Sequence, residues 1–120
     1  MTLIYKICDA ALWREAERIG AFAGAGIDLT DGYIHFSAPD QVAETAAKHF
    51  AGQHNLLLIA VAAGLLGPAL KWEPSRGGAL FPHLYGPLPL SAVRFVKPLP
   101  LGPQGAPVLP DLSLSSNSRP

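Results

Sequence analysis

Leu56-Leu57-Leu58-Ile59-Ala60-Val61-Ala62 is apolar at every position, with no polar residue at any alternate place. A strand covered on both faces reads this way, so the run is expected at the heart of a sheet. Leu3 to Cys8 predicts an earlier strand. Asp9 then caps a helix with Leu12, Trp13, Ala16 and Ile19 on one stripe, stopped by Gly20. Residues 21 to 30, carrying Gly24 and Gly26, predict loop or irregular strand leading into a strand from Gly32 to Phe36. Ser37 stands three residues before Asp40 in a capping-box-like spacing, and Pro39 is tolerated in a first turn, which predicts a second helix to about Phe50. Val42, Ala46 and Phe50 form its inward stripe, Gln41, Glu44 and Lys48 face out, and Gly52 ends it. Further strands are expected over Leu70 to Glu73, around His83, and over Ala92 to Lys97. They are separated by a loop at residues 74 to 79 and a turn from Gly86 to Pro89. Two early helices among short strands, then strands alone, predict an α+β fold rather than a regular βαβ winding.

The chain has 120 residues, 49% of them hydrophobic and 15% charged, enough for one core and one domain, expected over residues 1–97. From Pro98 to Pro120 it carries six of its twelve prolines and the run Ser113-Leu114-Ser115-Ser116-Asn117-Ser118, which predicts an extended or disordered tail. Nine basic residues balance nine acidic ones, so no nucleic-acid surface and no polybasic membrane patch is expected. One cysteine, Cys8, excludes an internal disulfide and a multi-cysteine zinc site, and reads as a small core residue. The first residues lack a basic and apolar leader, and the apolar run from Leu56 to Leu66 is too short to span a bilayer. A cytoplasmic protein is the expectation.

Candidate chemistry concentrates in two short runs. In extended backbone, side chains alternate, so Phe81-Pro82-His83-Leu84-Tyr85 places Phe81, His83 and Tyr85 on one face, a ready ligand wall. Asp31-Gly32-Tyr33-Ile34-His35-Phe36-Ser37 likewise sends Tyr33, His35 and Ser37 one way and Ile34 and Phe36 the other. An imidazole beside an aromatic ring suits a ligand with a planar group and hydroxyls or phosphates. Either histidine alone reads as a half-buried polar residue satisfied by backbone, and it is the repeated context that favours function. His49 and His54 read as residues of a helix end and the following loop. Glu73, beside Trp72, reads as a general base in the same cleft or as a solvated strand-end carboxylate. Lys6, alone among apolar neighbours, either snorkels to the surface or points into a cleft, and Arg76 either clamps a phosphate or is solvated. No zinc-binding HExxH, dinucleotide GxGxxG, P-loop or nucleophile elbow is present, and no metal is expected.

Three ordered motifs, Ile4-Tyr5-Lys6-Ile7 with Trp13, Asp31 to Ser37 with Gln41 and Thr45, and Phe81 to Leu88, resemble the bacterial domain of unknown function 952 family over roughly residues 3 to 97. That family is similar in fold to the ADP-ribosyltransferases, which implies a split α+β sheet around a cleft for NAD. Carried over, Lys6 takes the first-strand position that meets ribose, His35 the second, and His83 or Glu73 the late-strand position of the catalytic carboxylate. The resemblance thus implies His35, His83 and Glu73 as catalytic residues. Tyr33 and Tyr85 would stack on the ligand, with Tyr5 and Ser37 beside it, and Lys6 and Arg76 would meet the pyrophosphate. The expected function is binding of NAD or a related phosphorylated nucleotide, with ADP-ribosyl or phosphoryl transfer as its chemistry. A non-catalytic binding module and a metal-dependent hydrolase using His35, His83 and Glu73 are the alternatives.

Overall fold

The all-apolar run becomes β4 (Leu56–Ala62), central in an antiparallel three-stranded sheet between β1 (Leu3–Asp9) and β8 (Val93–Leu99). A computed structural model describes residues 2–75, 77–110 and 112. Every residue of β4 is buried, and alternation along it and β1 divides the interior into two cores. Ile4, Cys8, Leu57, Ile59 and Val61 pack with Trp13 and Ala16 of α1 (Ala10–Ile19), Phe22 and Ile34. Leu3, Tyr5, Ile7, Leu56, Leu58 and Ala60 pack with Val42 and Ala46 of α3 (Val42–His49) and with Leu99. Cys8 lies in the first core, where burial pushes its thiol up to about 11.

Asp9 caps α1 as expected, its carboxylate accepting from the Ala11 N–H at 2.8 Å, and Gly20 ends it in the left-handed conformation. The buried stripe is narrower than the sequence implies. Trp13 and Ala16 face inward, whereas Leu12 and Ile19 are 49% and 63% exposed.

The segment at residues 21–30 is more ordered than a loop. It holds β2 (Ala21–Phe22) and the short helix α2 (Ile27–Asp31), so the described chain has three α-helices rather than two. A five-residue helix is too brief to show a 3.6-residue stripe. β2 pairs with β7 (Leu88–Pro89), inside the segment expected to be a turn. The second three-stranded sheet runs β3 (Ile34–His35), β6 (Ala79–Leu84), β5 (Leu70–Ser75), all antiparallel. β5 and β6 form a hairpin reaching Ser75 opposite Ala79, which shortens the expected loop to its tip.

The two larger sheets meet at one bridge. Tyr5 N–H donates to the Ser37 carbonyl at 2.8 Å, and Ser37 N–H donates to that of Tyr5 at 2.9 Å. Ser37 therefore serves the sheet junction, not a helix cap. Its hydroxyl lies 3.1 Å from that of Thr45, and α3 has no side-chain cap. Gln41, expected to face out, ties elements together: its carbonyl accepts from Ala38 N–H, and its amide donates to the Leu80 carbonyl at 2.7 Å.

Lys97, the expected end of the globular part, falls inside β8. Beyond it Leu101 bridges to Pro107, the Gly52 N–H donates to the Gly105 carbonyl, and Leu109 and Leu112 pack on the second core. The serine-rich run at 113–118 and Arg76 lie outside the described residues. The architecture is a small single-domain α+β fold of antiparallel sheets. Among the described residues no helix is long and apolar enough to cross a membrane.

Candidate functional site

Antiparallel pairing of β3 with β6 sets His35 opposite His83, with ring centroids 5.4 Å apart and edge to face. Tyr33, just before β3, lays its ring across both. It stacks on His83 at 4.3 Å and 29° and lies 4.6 Å from His35 and 5.1 Å from Tyr85. The aromatic-X-His pattern thus forms one contiguous cluster of four rings.

β5 flanks β6 on its other side. Lys71 pairs with His83 and Glu73 with Phe81, so Glu73 is the diagonal neighbour of His83 on one face. Glu73 Oε1 lies 2.8 Å from His83 Nδ1 and accepts a hydrogen bond from the Tyr85 hydroxyl at 2.8 Å. The bond from His83, followed by that from Tyr85, holds the Glu73 carboxyl below its usual range, and the same bond pushes the Tyr85 hydroxyl up. A carboxylate only accepts, so Nδ1 is the protonated nitrogen of His83.

α2 brings a carboxylate that sequence reasoning did not single out. Asp28 is buried, with Oδ2 at 2.7 Å from the Lys6 ammonium and Oδ1 at 2.6 Å from His35 Nδ1. It also accepts from the backbone N–H groups of Ala25 and His35, at 3.0 and 3.1 Å. Burial alone would raise the Asp28 carboxyl, but the His35 bond, the charge and bond of Lys6, and the Ala25 amide outweigh it and hold it at about 2. Asp31, one turn along α2, puts Oδ2 3.0 Å from His35 Nε2. His35 is therefore fixed between two carboxylates.

A cavity of about 370 Å³ opens beside this network, and Tyr5, Lys6, Tyr33, His35 and Ser37 all line it. Asp31, Thr45 and His49 share its wall. The other candidates lie elsewhere. His83 is buried and stacked on Tyr33, Glu73 and Tyr85 are joined to each other by a hydrogen bond and do not line this cavity, and Phe81 lines a neighbouring cavity of about 330 Å³. The expected wall of Phe81, His83 and Tyr85 thus shares a face of the sheet but does not open onto one space. Lys6 points inward, as one of its two readings held, with its ammonium engaged by Asp28. Among the described residues no three His, Cys, Asp or Glu side chains converge as a metal site.

Asp28, Asp31, Thr45 and His49 are not among the site residues expected from the sequence, although Asp31 and Thr45 belong to the motifs that carry the family resemblance. Asp28 and Asp31 sit in a short helix without a stripe. Thr45 serves as a buried hydroxyl on a helix read for its apolar positions, and His49 was read as a helix-end residue. The one available signal was two carboxylates three residues apart immediately before Tyr33-X-His35.

Among curated proteins, none matches the chain. Solved structures do. The crystal structure of the protein CC0527 from Caulobacter crescentus shares 54% identity over 93% of this chain and 96% of that one, with a TM-score of 0.87. Its solution NMR structure shares 56% identity over 89% and 92%, with a TM-score of 0.81. The family described as protein of unknown function (DUF952) matches residues 7–96, which include Asp28, Tyr33, His35, Glu73 and His83. That span is most of the chain, and the protein belongs to this family.

Proposed function

We propose that the protein binds a nucleotide, NAD or a related phosphorylated small molecule, in the cavity between β1, the end of β3 and α3. The observation that carries this reading is the pairing, on one cavity wall, of the Tyr33 ring with a His35 imidazole immobilised by Asp28 and Asp31. A flat apolar ring and a fixed polar one suit a base and a sugar, and the volume falls in the range of small-molecule sites. The two larger sheets join at Tyr5 and Ser37, and both residues line the cavity, which supports a ligand site at that junction.

Transfer of an ADP-ribosyl or phosphoryl group is the second reading, and Asp31 favours it. Cleaving a nicotinamide–ribose bond builds positive charge on the sugar, which a nearby carboxylate stabilises. Asp31 is on the cavity wall, whereas Glu73 is held by His83 and Tyr85 away from it. His83 and Glu73 then support the position of Tyr33 instead of touching the ligand.

Calorimetric titration with NAD and ADP-ribose tests the reading. Tyr33→Ala and His35→Ala should each weaken binding about tenfold or more, the equivalent of about 1.4 kcal/mol. Equal binding by wild type and both variants overturns it. Release of nicotinamide from NAD, followed by chromatography and lost in Asp31→Asn, separates transfer from binding alone.

A further inference from the structure

Two cavities adjoin along α3 and share part of their walls. Thr45 and His49, one helical turn apart on the same face, line both the cavity of about 370 Å³ beside Tyr33 and its neighbour of about 330 Å³. The β5–β6 hairpin also borders both, since the paired residues Ser75 and Ala79 at its end line the first and the second cavity respectively. A helix face and a hairpin tip thus run past both spaces, with the exposed His49 side chain common to the two.

The linings differ in a complementary way. The first cavity has the Tyr33 ring with His35 and Asp31. The second has the Phe81 ring with Gln41, Glu44 and Lys48. An aromatic ring among hydrogen-bonding groups suits a planar, polar ligand group, and this chain supplies that combination twice. Each volume is near the lower end of the roughly 300–1,000 Å³ range of small-molecule sites, so a larger ligand needs both spaces. We propose that the two cavities are halves of one site for a dinucleotide rather than a mononucleotide, with one planar group beside Tyr33 and His35, the other beside Phe81, and the linking diphosphate passing His49.

Charge supports that placement of the linker. In the first cavity the buried Lys6 ammonium is matched by Asp28, and Asp31 adds a negative charge. At the shared wall the last turn of α3 brings Lys48 and His49 together. An imidazole N–H donates to a phosphate oxygen, and the Lys48–Glu44 pair is a solvent-exposed one, which holds its ammonium weakly. The inference rests on the nucleotide reading and specifies the ligand class and a second subsite.

Calorimetric titration with NAD, AMP and nicotinamide mononucleotide tests it. Wild type should bind NAD about a hundredfold more tightly than either half, because joined halves raise each other's local concentration. Ala79→Phe puts a ring into the second cavity from an exposed strand position. It should bring NAD down to the affinity of the better half, leaving that half's own affinity and the melting temperature unchanged. In NMR spectra of wild type, NAD should shift the amides of Lys48 and Ala79 as well as that of His35, a measurement that needs no variant. NAD binding no tighter than its better half, NAD binding untouched by Ala79→Phe, or amide shifts confined to the first cavity each overturn the proposal, while binding that depends on Tyr33 and His35 leaves the nucleotide reading standing. Failure of wild type to bind any of the three overturns that reading, and this inference with it.

Discussion

Asp28 carries more of the site's geometry than any histidine, since its two oxygens hold an ammonium, an imidazole and two backbone amides. A carboxylate buried without partners would give up its charge, and here the partners keep it ionised. Asp28→Asn preserves the shape but removes the charge 2.7 Å from the buried Lys6 ammonium. Breaking a buried ion pair on one side costs about 3–5 kcal/mol, and a loss of that order is expected in urea unfolding. The same residue sets an acid limit. Its folded value of about 2 lies below the ordinary 3.8, so the unfolded chain takes up the proton first as pH falls. The stabilisation is complete above about pH 5 and is lost on descent through 4 toward 2, amounting to about 2 kcal/mol. Stability curves of wild type and Asp28→Asn measured across that window should differ in slope, the variant being flatter. Parallel curves would show that Asp28 does not titrate with unfolding.

At the scale of elements, the placement of Asp28 depends on how α2 is entered. Gly24 has φ +118°, and a Cβ there would stand 2.9 Å from the Asp28 Cβ, closer than two carbons pack. Gly24→Ala therefore meets backbone strain and a steric clash together, which argues for a loss of about 1–3 kcal/mol. It should also disturb the His35 ring resonances in NMR spectra, and an unmoved His35 signal would show that α2 absorbs the change elsewhere. Such dependence on a short element explains what the sequence could and could not disclose. β4 and α1 were legible because long apolar runs and a cap are local signals, and Tyr33, His35 and His83 because strand parity places them. α2, β2 and β7 were not, because five-residue and two-residue elements owe their existence to tertiary contacts rather than to periodicity. For the same reason Asp28, the residue that fixes His35, was hidden in a segment that reads as loop. Ser37 shows a third kind of failure: a spacing typical of a capping box was used for a sheet junction.

On the scale of the whole molecule, the two cores lie back to back across the central sheet, and the second is closed partly by chain beyond Lys97. Leu99 pairs with Leu56 at the end of β8 and is buried, Leu109 and Leu112 pack on the same cluster, and Gly105 receives the Gly52 N–H. Proline-rich composition argues for a solvated tail, but apolar residues spaced between the prolines give that segment surface to bury. A chain ending at Lys97 would lose the full burial of Leu99, about 1.5–3 kcal/mol, and the partial burial of the two later leucines. It would also thin the cluster that holds Tyr5, Val42 and Ala46, and Tyr5 lines the cavity. Removing residues 98–120 should therefore lower the melting temperature by several degrees or more and weaken ADP-ribose binding at the same time. The two effects are linked through β1, since Tyr5 belongs to the second core and Lys6, the next residue, reaches Asp28 on the other side. A truncated chain that melts with wild type and binds equally would make the segment after β8 an appendage; a joint loss makes it part of the wall that holds the site.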